Sequence, residues 1–195
     1  MTHPRLRWLP RAAQREQPWA NGGGRTREVA IAPAGATLAA GCRWRVSCAE
    51  VASDGPFSVL PGMDRSLWLL AGAGCEMELG DQTVRLDRRW QRVDFAGERQ
   101  VAARLLDGPV QDLNVMVERA STRVAAALLH LAPGTGLQLP GDGEEQLLLL
   151  LAGGAAVHGG WLEPGDAVLW TGTTPVLVGA GLVPSVVLLA SFAPR

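Results

Sequence analysis

Runs of valine, leucine and alternating polar residues are cut into short lengths by Pro-Gly, Gly-Asp and Asp-Gly pairs at positions 61–62, 80–81, 107–108, 133–134, 140–141 and 164–165. Proline presets one turn angle and glycine accepts positive φ, so such pairs mark chain reversals rather than helix interiors. The pattern predicts strands over residues 25–31, 44–51, 66–71, 76–79, 83–86, 92–95, 101–106, 113–118, 126–131, 146–151, 167–170 and 186–192. Asp64, Arg65 and Asp112 fall at the expected strand edges. Several strands alternate with period two. Trp44, Val46 and Cys48 oppose Arg45 and Ser47; Asp112, Asn114 and Met116 oppose three aliphatic residues; Thr26 and Glu28 share a face. Turn signals at this density separating β-type runs predict an all-β sandwich or barrel.

Two stretches can be superposed by their order of signals. From Gly55 and again from Gly134 come a glycine, a Pro-Gly turn, a leucine-rich strand and a glycine turn. The repetition predicts two similar barrels, over residues 1–120 and 121–195. Composition agrees: of 195 residues 47% are hydrophobic and 19% charged, enough for a sizeable core. Formal charge is −1, from 18 basic and 19 acidic residues, which leaves no electrostatic footprint for nucleic acid. The apolar run at 147–152 is far shorter than a membrane helix, and the first ten residues carry no apolar leader. Three cysteines without CxxC spacing predict buried thiols rather than a disulfide framework. A cytoplasmic protein is expected, with no membrane partner.

The glycine spacing resembles that of the cupins, whose motif places His-x-His and glutamate between two glycines. Here Pro61, Met63 and Leu67 stand at the ligand positions of the first copy, and Pro140, Asp142 and Gln146 at those of the second. Proline and leucine ligate no metal and a lone aspartate makes no site, so no metal or other cofactor is expected. Taken singly, each polar strand face reads as solvated; together, Arg45, Glu28 and Asp112 suggest a polar lumen. Arginines in a lumen suit a small carboxylate, since guanidinium binds carboxylate through two parallel hydrogen bonds. His3, His130 and His158 are dispersed, no GxSxG elbow occurs, and no catalytic residue is predicted.

A compound set of segments sharpens the expectation. Trp19-x-Asn21-Gly-Gly-Gly24-x-Thr26-x-Glu28, Trp44-Arg45-x-Ser47, Gly55-Pro-Phe-Ser58, Pro61-Gly62-x-Asp64-Arg65, Asp107-Gly108-Pro109 and Asp112-x-Asn114-x-Met116-x-x-Arg119 together resemble the HutD/Ves family over residues 19–119. That resemblance implies a bicupin, two cupin-like jelly-roll barrels in one compact chain. It further implies a bacterial protein associated with histidine utilisation that binds a small acidic metabolite such as urocanate or formylglutamate and modulates catabolism. The expected ligand-binding residues are Asn21, Thr26, Glu28, Arg45, Ser47, Phe57, Asp64, Arg65, Asp112, Asn114 and Met116. The alternative is a metal-independent isomerase or hydrolase using Glu28, Asp64 or Asp112 as base. Assembly as a homodimer is left open.

Overall fold

A computed structural model describes residues 5–195. The chain runs through β1 (Leu6–Leu9), β2 (Arg15–Pro18), β3 (Gly24–Ala32), β4 (Trp44–Val51), β5 (Gly55–Pro56), β6 (Met63–Ala71), β7 (Cys75–Leu79), β8 (Gln82–Leu86), β9 (Arg92–Ala96), β10 (Val101–Leu105) and β11 (Val110–Glu118). It continues through β12 (Thr122–Leu131), β13 (Gly136–Leu139), β14 (Glu145–Ala152), β15 (Ala155–Val157), β16 (Gly160–Leu162), β17 (Ala167–Thr171), β18 (Val176–Ala180) and β19 (Ser185–Pro194). One 3-10 turn, Arg11–Ala13, is the sole helical element among the described residues.

The chain divides into two compact units. The first, Arg15–Arg123, holds a six-stranded sheet ordered β2-β3-β4-β11-β6-β9 and a four-stranded sheet ordered β5-β10-β7-β8. Leu67 and Leu69 of the larger sheet and Met77, Leu79 and Val101 of the smaller belong to one buried cluster, so the two sheets face each other across it. The second unit, residues 5–14 with Val124–Pro194, holds sheets ordered β1-β17-β14-β19-β12 and β13-β18-β15-β16. Leu148, Leu150, Val157, Leu162, Trp170 and Val178 fill its core.

The two units repeat one strand order. β4-β11-β6-β9 corresponds to β12-β19-β14-β17, and β5-β10-β7-β8 to β13-β18-β15-β16. The repetition of turn signals therefore reflects a repetition of topology. Among the described residues no sheet is a closed barrel; each keeps two edge strands, and each unit is a pair of facing open sheets. β1 joins the second unit by pairing with β17, Leu6 opposite Trp170 and Trp8 opposite Val168. β1 thus belongs with the C-terminal half, whereas the sequence pattern groups it with residues 1–120. Four residues give too short a pattern to reveal such a strand, whose burial comes from a partner distant in sequence.

Several strands also run longer than the hydrophobic pattern suggests, β6, β11 and β12 among them. β6 begins at Met63 and β11 at Val110, so Arg65 and Asp112 lie inside strands rather than at their edges. All three cysteines are free thiols; Cys42 and Cys75 are buried, but Cys48 is half-buried. Among the described residues no helix is long and apolar enough to cross a membrane.

Candidate functional site

The cross-strand register of the six-stranded sheet builds a polar floor inside the first unit. Met116 of β11 sits opposite Arg45 of β4 and Arg65 of β6, Asn114 opposite Ser47 and Leu67, and Asp112 opposite Ala49 and Leu69. Side chains two apart share a face, so Asp112, Asn114 and Met116 all project with Arg45, Ser47 and Arg65. These residues line a cavity of about 430 Å³, roofed in part by Trp19, Phe57 and Leu60. The alternation along β11, which read as solvated when taken alone, presents its polar face inward; Asp112 and Asn114 are only 3% and 4% exposed.

Arg65 is the centre of the arrangement. Its guanidinium lies between the rings of Phe57 and Phe95, 5.3 and 4.8 Å from their centroids. Nη2 donates to Asn114 Oδ1 at 3.0 Å and Nη1 to the Ser58 carbonyl at 3.3 Å. Its buried Nε–H has no hydrogen-bond partner. Among the described residues no carboxylate sits within ion-pair distance of it. Burial lowers its pKa to about 10, against the raising field of Asp112, and it stays cationic at neutral pH. An arginine 4% exposed, charged and incompletely bonded is costly unless something completes it.

Asn114 links this cation to a carboxyl. Its Nδ2 donates to Asp112 Oδ1 at 2.9 Å while its Oδ1 accepts from Arg65 Nη2. Burial pushes the Asp112 carboxyl up to about 6, opposed by the Asn114 hydrogen bond and the Arg65 charge. Arg45 is differently placed: its Nε donates to Glu28 Oε2 at 2.7 Å, an ion pair largely screened from water.

The near wall comes from the glycine-rich turn. Trp19 N–H donates to the Gly24 carbonyl and Gly22 N–H to the Trp19 carbonyl, folding the turn back on itself. A Cβ on Gly24 would lie 2.3 Å from the Glu50 carbonyl and 3.1 Å from the Trp19 ring, so only glycine admits this approach. The turn thereby holds Trp19 where its Nε1 donates to Thr26 Oγ1 at 2.8 Å and its ring meets Phe57 edge-on. Asn21 Oδ1 accepts from Gly23 N–H, so that oxygen shapes the turn.

Nine of the eleven expected residues line the cavity: Asn21, Thr26, Arg45, Ser47, Phe57, Arg65, Asp112, Asn114 and Met116. Glu28 stands behind Arg45 and bonds it. Asp64 is not brought to the site. It lies on the opposite face of β6 from Arg65 and accepts from Arg119 Nε at 2.7 Å, because successive strand residues point to opposite faces. Sequence reasoning missed Gln17, Leu38 and the orienting role of Trp19, although Trp19 sits at a fixed spacing from Asn21 and Thr26.

Metal chemistry does not fit the residues present. At the cupin ligand positions, Met63 and Leu67 are buried in apolar clusters, and Asp142 Oδ1 accepts from Gln146 Nε2 at 2.8 Å. Among the described residues no group of three His, Cys, Asp or Glu is placed to hold a metal. Burial pushes Cys75 up to about 11 and raises Cys42 as well, so neither is an activated thiolate.

Fold and cavity define an all-β, cupin-like protein with a polar pocket in one of two repeated units. The HutD family model matches residues 11–182, and the chain belongs to that family. Protein Ves of Cronobacter sakazakii is 31% identical over 153 residues, covering 78% of this chain and 80% of that one. A conserved protein of unknown function from Pseudomonas aeruginosa superposes with a TM-score of 0.86 at 28% identity, covering 96% and 98% of the two chains. HutD from Pseudomonas fluorescens superposes at 0.80 with 25% identity, covering 98% and 100%. A cupin 2 conserved barrel domain protein from Leptotrichia buccalis, at 0.57 and 11% identity over 85% and 87%, shares the fold alone.

Proposed function

We propose that the first unit binds a small carboxylate, urocanate- or formylglutamate-like, and that the protein modulates catabolic flux in the cytoplasm without itself transforming the ligand. The observation that carries this reading is Arg65: a buried cation on the cavity wall with an unpartnered N–H and no carboxylate paired to it. An acid seated there supplies the missing acceptor. Family membership supports the ligand class, and the aromatic wall of Trp19 and Phe57 suits a flat or extended acid.

Of the two arginines, Arg65 is the anchor and Arg45 the lesser contributor, since Glu28 already occupies Arg45 Nε. A charge-assisted hydrogen bond contributes about 1.5–3 kcal/mol, so Arg65→Ala weakens binding roughly tenfold to over a hundredfold. Arg45→Ala weakens it less. Calorimetric titration of urocanate and N-formylglutamate against wild type and both variants measures this. Binding that survives Arg65→Ala unchanged sinks the assignment.

A second reading rests on Asp112. Of the three carboxylates considered as a base, it alone lines the cavity with a pKa near neutrality, because Glu28 is spent on Arg45 and Asp64 faces away. NMR of either acid incubated with the protein separates the readings. Turnover abolished by Asp112→Asn favours a catalyst; an unchanged spectrum favours a binder.

A further inference from the structure

We infer that the cavity takes up its anion together with a proton from solvent, and that the proton resides on Asp112. This rests on the carboxylate-binding reading above and adds the charge state of what is bound. The argument is one of charge balance in a place sheltered from water. Two cations and two carboxylates meet there: Arg45 of β4 with Glu28 of β3, in direct contact, and Arg65 of β6 with Asp112 of β11, joined through the Asn114 amide. Cys75 of β7 also lies in the field of Asp112, and burial holds its thiol neutral. Among the described residues no other titratable group acts on Asp112 from the strands around it.

With Asp112 ionised the four charges cancel. A carboxylate seated on Arg65 then adds a third negative charge to the same buried group, with no cation left to offset it. At low effective dielectric such an excess charge is strongly disfavoured, and the cheapest remedy is protonation of the nearest carboxyl. Asp112 is that group, since burial has already pushed it up to about 6. The geometry requires no rearrangement. Asn114 donates to Asp112 Oδ1, and a protonated carboxyl still offers an acceptor oxygen, so the relay from Arg65 through Asn114 persists in both states.

Linkage sets the sign. Above the Asp112 titration the free protein holds this carboxylate unprotonated and the complex holds it protonated, so binding weakens as pH rises. One proton per anion makes the apparent Kd rise about tenfold between pH 7 and pH 8. The experiment is calorimetric titration of urocanate and of N-formylglutamate at both pH values, in two buffers of different ionisation enthalpy. Wild type takes up close to one proton per acid bound. Asp112→Asn, neutral at every pH, takes up none, shows a Kd flat with pH, and binds more tightly than wild type at pH 8. Binding without proton uptake in wild type overturns this inference alone. Uptake that persists in Asp112→Asn also overturns it, because the proton then rides on the ligand. Failure of both acids to bind overturns this inference and the carboxylate reading together. Should the variant not fold, carboxyl carbon NMR of the wild-type protein reads the same event, and the Asp112 titration must move up when the acid is added.

Discussion

The two units share a strand order and differ in what they place on equivalent positions. Leu67 of the first unit pairs with Asn114, and Gln146, twelve residues after Gly134 as Leu67 is twelve after Gly55, pairs with Ser191. By the same registers Leu69 pairs with Asp112 where Leu148 pairs with Leu189. The chain Arg65–Asn114–Asp112 therefore corresponds to Glu144, Ser191 and Leu189, and the second trio contains no cation. Ser191 Oγ donates to Glu144 Oε2 at 2.7 Å, so this carboxylate is met by a hydroxyl rather than by a guanidinium. Leu148 and Leu150 lead an apolar core in the second unit, while the first opens a 430 Å³ cavity. One frame thus serves two ends: a filled core that stabilises, and a lined core that leaves a buried arginine to be completed.

The comparison can be broken at several points. Leu148→Ala removes a fully buried side chain from the second unit's core, which costs about 2–5 kcal/mol. Denaturant melts should report that loss, with ligand affinity in the surviving native protein unchanged. A loss of affinity would mean that the second unit is part of the site. Asp112→Asn acts in the opposite direction. The folded carboxyl titrates at about 6 against an ordinary 3.8, so the unfolded chain releases its proton first and wild-type stability falls as pH rises between these values. The variant lacks that decline and gains on wild type by up to about 3 kcal/mol between pH 4 and pH 7. Melts at both pH values measure the gain, and an equal difference at the two would refute it.

Smaller effects sharpen the boundary of the site. Gly24→Ala forces a Cβ against the Glu50 carbonyl and displaces the Trp19 wall, at about 1–3 kcal/mol. Both stability and affinity should fall, which distinguishes it from Leu148→Ala. Asp64→Ala breaks an ion pair with Arg119 whose members are more than a third exposed, so solvent screening leaves the smallest stability loss of these variants. Ligand affinity should not move, because Asp64 faces away from the cavity.

Much of the fold was readable along the chain. Turn pairs bounded the strands, and the repeat from Gly55 and Gly134 emerged as a shared strand order, because glycine and proline act through local backbone angles that need no partner. The candidate site was half legible for the same reason: period two puts Arg45 with Ser47, and Asp112 with Asn114, on one face. Local pattern does not say which way a face points. Only the register among β3, β4, β11 and β6 aimed four polar faces at one space, turned Asp64 out, and tied Arg45 to Glu28 while leaving Arg65 Nε–H unpartnered. β1 teaches the same lesson at the level of the fold, since four residues carry no signal until β17 lies beside them. Backbone preference is a property of neighbours in sequence; burial, pairing and pKa belong to neighbours in space, and these the tertiary structure alone decides.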